Sequence, residues 1–389
     1  MAETFTDLLD RLKKDIPAVS VDQAAREVAN GNPVTFLDVR ETDERQQGCI
    51  AEAVHLPRGF LELKVESIIK DRTVNLIVYC ASGTRSVLAA SSLLQMGYTR
   101  VRSMSGGFNH WKESGNPVKI PMVLSTEQRK RYDRHLRIPE VGEQGQIKLL
   151  ESQVLLIGAG GLGSPSAYYL AAAGIGKLGI VDFDKVEASN LQRQILHRAD
   201  SVGEAKVKSA CKTLTEFNPG ISIEAFEERL TPENVERIMT GYDVVVDGSD
   251  NFPTRYLIND ACLRLKIPCV HGSVFRFEGQ VSVLDPARGG PCYRCMHAEP
   301  PPPELAPSCA DAGVLGVLPG VIGLLQAVEA IKIVLDKGES LIGRLLQYDA
   351  MECKFREFQL HKDPTCRYCS TEGEFPGYME YQQFCGDHN

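Results

Sequence analysis

The run VLLIGAGGLGSPSAYYL, residues 154–170, constrains the fold more than any other stretch of the chain. A short apolar strand runs into Gly158, and a helical pattern opens at about Gly163. Gly158, Gly160 and Gly163 permit a tight turn and let the backbone approach phosphates at a helix N-terminus. A turn of this kind belongs where a buried strand feeds a helix packed on a parallel sheet. The segment therefore predicts an α/β fold. KLGIVDFD (177–184), DVVVDGSD (243–250) and PCVHGSV (268–274) are further short apolar runs of the type buried in parallel sheets, with helical stretches between them.

Taken alone, the glycine turn with Asp182 at the next strand end reads as a site for NAD or FAD. The surroundings favour a triphosphate. DFDKVEASNLQRQILH gathers Asn190, Arg193 and Gln194, and Lys206 follows in VGEAKVKSA. Cations suit a nucleotide whose leaving phosphates gain charge, and a nicotinamide needs no such cluster. Asp250 and Asn251 end another strand, a place for a Mg²⁺ ligand. Each residue singly reads as well as a solvated surface group. Their shared position at strand C-termini, where α/β sheets bind ligands, is what points to a site.

At 389 residues the chain exceeds one ordinary core. Residues 1–118 form one α/β segment, with strands in PVTFLDVR and NLIVYC and a helix over 86–96. Residues 119–130 read as a linker, 131–370 as a second domain and 371–389 as a tail. The net charge of −8 gives no basic footprint for nucleic acid. The acidic N-terminal stretch, without an apolar core, reads as neither a signal nor a transit peptide. Twelve cysteines without a secretion signal suggest reduced thiols, used for metal or catalysis, and so the cytoplasm. VLGVLPGVIGLLQAVEAIKIVL, residues 314–335, carries Pro319, Gln326, Glu329 and Lys332 and predicts a loop feeding a buried helix, not a membrane span. EPPPPELAP, residues 299–307, predicts an exposed, mobile loop.

Two sets of cysteines stand apart. In VYCASGTRS, residues 78–86, Cys80 ends an apolar strand just before a helix. Inward-facing N–H groups and the helix dipole at such a place stabilise a thiolate or a persulfide, and Arg85 adds a charge. A buried structural cysteine fits Cys80 as well when it is viewed alone. Cys292 and Cys295 form one Cys-x-x-Cys pair, and Cys366 and Cys369 form another. Together they read as a closed tetrahedral Zn²⁺ site, structural because four thiolates leave no open position. Two unrelated thiol pairs are the plainer alternative.

FLDVRE (36–41), GCIAEAVHLP (48–57), CASGTRS (80–86) and GGFNHWKESGNPV (106–118) follow the order and spacing of a rhodanese domain, which this half resembles over nearly its whole length. The resemblance implies that Cys80 is the persulfide-forming nucleophile, with Asp38 and Arg40 bracing its loop. Cys49 stands where that family more often has histidine. Certain cell-cycle phosphatases share the fold but place five residues between cysteine and arginine. Here four separate Cys80 from Arg85, a cradle better sized for a terminal sulfur.

From Arg131 to about Cys369 the chain resembles the adenylating enzymes of the molybdopterin-synthase sulfurylase and thiamine-pathway type, relatives of ubiquitin-activating enzymes. RYDRHLRIPEVGEQGQ, GAGGLGS, DFDKVEASNLQRQ, GEAKV, DGSDN, EGQVSV, YDAMECKFREF and the cysteine pairs carry the likeness. It implies a Rossmann-like domain that binds ATP through Gly158, Gly160, Gly161, Gly163, Asp182, Asp184, Asn190, Arg193, Gln194, Lys206, Asp250 and Asn251. It implies Mg²⁺ on Asp250, Zn²⁺ on the four cysteines, and a homodimer in which Arg134 reaches the neighbouring subunit's phosphates. The implied partner is a small ubiquitin-like sulfur carrier protein ending in Gly-Gly, whose carboxylate becomes an acyl-adenylate. Cys309, in PSCADAGV, aligns with a cysteine that forms a carrier thioester in some relatives, and a packed cysteine is the rival reading. Joined to the rhodanese half, the expected product is a carrier thiocarboxylate, with thiosulfate or a cysteine desulfurase as sulfur donor. Eukaryotic relatives place the rhodanese domain at the opposite end. Two alternatives stand: a rhodanese whose adenylating domain only binds the carrier, and an NAD-dependent oxidoreductase.

Overall fold

Strands buried on both faces carry unbroken apolar runs, and LIVY at 76–79 and VVV at 244–246 are two of these. They lie inside two separate sheets, one parallel and one mixed. The structure, a computed structural model, describes residues 4–299, 313–370 and 375–379. The chain divides into two units, Met1–Val123 and Leu124–Asn389.

In the first unit, β1 (Ala18–Val19), β2 (Thr35–Asp38), β3 (Val54–His55), β4 (Leu76–Tyr79) and β5 (Val101–Met104) form a parallel sheet in the order β1-β5-β4-β2-β3. Central β4 is wholly buried and feeds the helix Thr84–Gln95. That helix packs Val87, Ala89, Ala90 and Leu93 into a core with Leu37, Leu76 and Val78. Gly83 turns the chain into the helix with a left-handed φ of 101°, open to glycine at little cost. Cys49 pairs with Lys119 in an isolated antiparallel bridge, which ties residue 119 to this unit.

In the second unit, β6 (Gln153–Ile157), β7 (Lys177–Val181), β8 (Ser222–Phe226), β9 (Val244–Asp247) and β10 (Cys269–Phe275) run parallel. Then β11 (Glu278–Leu284), β12 (Arg344–Asp349) and β13 (Lys354–Gln359) extend the sheet antiparallel, giving β13-β12-β11-β10-β9-β6-β7-β8. The chain leaves β6 towards β7 and returns on the other side at β9, a topological switch point. Register fixes what meets there: Ile157 pairs with both Val181 and Asp247. The residues after these three positions must therefore gather at one sheet edge. A Ser125-capped helix, Thr126–Arg131, starts within the segment read from sequence as linker.

The apolar run becomes the helix Leu318–Leu335, long and apolar enough by composition to cross a membrane. It packs instead against the sheet, through Leu318, Ile322, Ala327 and Ala330. Its polar residues have structural partners: Gln326 donates to the carbonyls of Asp247 (2.7 Å) and Val270 (3.0 Å). Buried Glu329 accepts from the Leu341 N–H (2.9 Å) and Lys332 Nζ (2.6 Å). Most of the proline-rich run, together with Cys309, lies outside the described residues.

Candidate active sites and metal centre

Cys80 is buried at 1% exposure directly after β4. The Gly83 N–H donates to its Sγ at 3.1 Å, and Ser86 Oγ lies 3.8 Å away. A second turn locks this loop: Phe108 and Asn109 N–H groups donate to the carbonyls of Cys80 and Ala81 (2.8 and 3.0 Å). Gly107, at φ 58°, passes so close that a Cβ would lie 2.4 Å from the Cys80 carbonyl oxygen. Arg85 makes a two-pronged pair with Glu44, both contacts 2.6 Å. That pairing holds Glu44 down at about 2.

Asp38 and Arg40 form a buried pair at 2.7 and 2.9 Å. Tyr79 Oη adds a donor to Asp38 (2.9 Å), and Arg40 Nη2 donates to the Gly48 carbonyl (2.8 Å). The pair joins β2 to the chain entering Cys49. Removing either partner would strand a buried charge, at about 3–5 kcal/mol.

The second site is an open cleft at the switch-point edge. Gly158, Gly160, Gly161, Asp182, Asp184, Arg193, Gln194, Lys206, Asp250 and Asn251 all line it. Gly163 lies beneath the turn, where a Cβ would sit 1.9 Å from the Gly158 carbonyl oxygen; its role is close helix packing. Asn190 lies outside the lining and accepts from the Glu187 N–H at 3.2 Å. Arg134 is also outside it, its side chain 83% exposed beside Asp133. Phe183, Glu228, Arg229, Ser249, Thr254 and Arg255, none of them singled out by a motif, also line the cleft.

The Ala159 peptide is clamped at both ends. Its N–H donates to Asp182 Oδ2 (2.8 Å), and its carbonyl faces Nε2 of buried His197 (3.0 Å). The Gly160 and Gly161 amides have no partner among the described residues. Burial pushes the Asp182 carboxyl up, with Lys206 opposing it. Lys206 Nζ, nearly buried, pairs with Asp184 at 2.8 Å. Gln194 Oε1 and Arg255 Nε are buried without protein partners among the described residues. Free amides, orphaned polar atoms and a nearly buried lysine with arginines at the lining fit a nucleotide with a charged phosphate chain.

The four sulfurs of Cys292, Cys295, Cys366 and Cys369 lie within 4.8 Å of one another. Pair by pair, they are 3.8 Å (292–295), 3.7 Å (292–366) and 3.4 Å (295–369) apart. Tetrahedral zinc with bonds of about 2.3 Å needs sulfurs about 3.8 Å apart, so the set fits that ion. Within the cluster, hydrogen bonds from its neighbours pull Cys369 down to about 5, and the contact with Cys369 drives Cys292 up. Four thiolates ionise together only around a cation. Arg294, inside the first pair, makes a buried two-pronged contact with Asp260 (2.7 and 2.8 Å), and the Tyr293 N–H donates to Asn259 (2.7 Å).

Residues 132–368 match the ThiF family and residues 20–114 match the Rhodanese-like domain. The chain is 48% identical over 269 residues to the sulfur carrier protein adenylyltransferase of Thermus thermophilus, covering 68% of this chain and 99% of that protein. It is 49% identical to adenylyltransferase and sulfurtransferase MOCS3 of Anopheles gambiae, over 68% of this chain and 60% of that protein. The crystal structure of E. coli MccB with MccA shares the fold, at a TM-score of 0.56 and 23% identity, over 64% of this chain and 76% of that one.

Proposed function

The chain belongs to the ThiF family, and from that premise we propose that it adenylates the C-terminal glycine of a small ubiquitin-like sulfur carrier protein and then delivers sulfur to it. One observation carries this reading: a phosphate-ready cleft and a rhodanese-type cysteine loop occur in the same polypeptide.

A carboxylate is already a nucleophile, so the first step needs no general base. The carrier's terminal carboxylate attacks the α-phosphorus of ATP, and pyrophosphate leaves with the bonding electrons. Free amides at Gly160 and Gly161 would take phosphate oxygens, and Lys206 and Arg193 would offset charge growing on the leaving group. Asp182 would hold the ribose. Asp250 would hold Mg²⁺, which lends further charge stabilisation when bound. Solvent-exposed Arg134 would serve a second subunit in a homodimer. Cys292, Cys295, Cys366 and Cys369 would hold a structural Zn²⁺ that joins two distant segments.

The terminal sulfur of a Cys80 persulfide then attacks the acyl carbon, and AMP leaves. A second thiol attacks Cys80 Sγ in the resulting acyl disulfide. The thiocarboxylate departs, and the two thiols end as a disulfide. Thiol chemistry of this kind fits the reducing cytoplasm.

Intact-mass measurement of Gly-Gly carriers after incubation with enzyme, ATP and a sulfur source tests the proposal. Replacement of one carrier oxygen by sulfur is the expected result. No mass change on any carrier, with no carrier-dependent ATP–pyrophosphate exchange, would leave only a binding scaffold.

A further inference from the structure

Arg85 is the cation of the Cys80 loop, and the fold has already matched it with a carboxylate. Glu44 grips it through two contacts of 2.6 Å. Glu44 is itself held: its Oε2 accepts from the Glu41 N–H (3.0 Å), and its backbone carbonyl accepts from Arg40 (3.3 Å). Arg40 in turn is fixed to Asp38. Glu44 stays ionised, because Arg85 holds it down at about 2. Arg58 pairs with Glu62. Arg45 is different: its Nε is buried without a partner among the described residues. The cation of the Cys80 loop itself, Arg85, is compensated.

A dianionic donor such as thiosulfate must therefore compete with a carboxylate already fixed in place. An alkyl persulfide carries at most a single charge and reacts through its neutral R–S–SH form, so it does not depend on displacing that carboxylate. We propose that Glu44 sets sulfur-donor specificity, neutralising Arg85 so that the site disfavours dianions and accepts persulfides. The proposal rests on reading Cys80 as the sulfur-carrying thiol. With a persulfide R–S–SH, the Cys80 thiolate attacks the terminal sulfur. The old S–S bond breaks and R–S⁻ leaves with its electron pair. With thiosulfate, the same attack expels sulfite. Glu44 acts through Arg85 and is a positioning residue.

The test measures kcat and KM of the full-length protein with thiosulfate and with cysteine persulfide, each with cyanide as acceptor. Glu44→Gln frees Arg85, and KM for thiosulfate falls about tenfold, the scale of one partly screened charge pair. Its kcat stays unchanged, and kcat/KM for cysteine persulfide moves less than about twofold. The double variant Glu44→Gln/Arg85→Gln is neutral again and restores the original thiosulfate KM. A rise in thiosulfate KM in Glu44→Gln, equal changes with both donors, or a low KM kept by the double variant would overturn the proposal. Cys80→Ser loses transfer from both donors; its survival in that variant would instead remove the underlying reading of Cys80.

Discussion

The sulfur site is written into one short stretch, Cys80 to Ser86, and sealed by a single neighbouring turn at Gly106–Asn109. The nucleotide cleft draws on the ends of β6, β7, β8 and β9 and on the starts of several helices, from Ile157 to Pro319. The first buries the Cys80 sulfur and pairs the loop's Arg85 with Glu44. The second stays open, lined by Gly160 and Gly161, whose amides have no partner among the described residues. A loop built locally stakes its chemistry on one sulfur atom. A cleft assembled from strand ends spreads its work over many weaker contacts.

The sharpest way to break this contrast is to cross the two sites. Cys80→Ala should reduce thiosulfate:cyanide transfer to background and leave carrier-dependent pyrophosphate exchange intact. Lys206→Ala should lower that exchange by about 10²–10³-fold, the usual scale for one electrostatic contact at a transition state, without touching cyanide transfer. Joint loss in either variant would show that the sites are not independent.

Metal removal probes the second unit alone. About one Zn²⁺ per chain is expected by elemental analysis. Chelation should lower the melting temperature of that unit by several degrees while the Cys80 loop keeps its cyanide transfer, as differential scanning calorimetry and a rate assay would show. A metal-free protein melting unchanged would deny the four cysteines a structural role.

The smallest effect concerns Glu44. Its folded pKa, about 2, lies below the ordinary 4.5. Its contribution to stability is therefore present above pH 4.5 and is lost as pH falls towards about 2. The side chain is about a third exposed, so solvent screening keeps the gain small. Melting temperatures recorded across that window should fall less steeply in Glu44→Gln than in the parent. Parallel curves would show that the pair does not contribute.

What could be read beforehand follows the same division. The Cys80 loop and the cysteine pairs were legible because their geometry is set by spacing over a few residues. Asp182, Lys206 and Asp250 were legible because ligands gather at strand C-termini. Glu228 and Arg229 follow β8, an edge strand with no clean buried pattern, and nothing local aims them at a cleft. Arg255 sits one helical turn inside Phe252–Leu265 and reads as an ordinary surface charge. Glu44 and Arg85 lie on separate helices, and only the folded sheet brings them together. Asn190 belongs to a run dense in polar groups, where composition could not separate the cleft-lining Arg193 and Gln194 from a residue that caps its own turn.

The helix Phe252–Leu265 holds a quiet consequence. Its first turn carries Thr254 and Arg255 to the cleft, after Asn251 at its cap. Six residues on from Thr254, Asp260 grips Arg294 between two of the clustered cysteines. The rod is thus guyed at its far end by the thiolate knot. Loosening that knot lets the near end swing, so nucleotide affinity should drift before the chain comes apart.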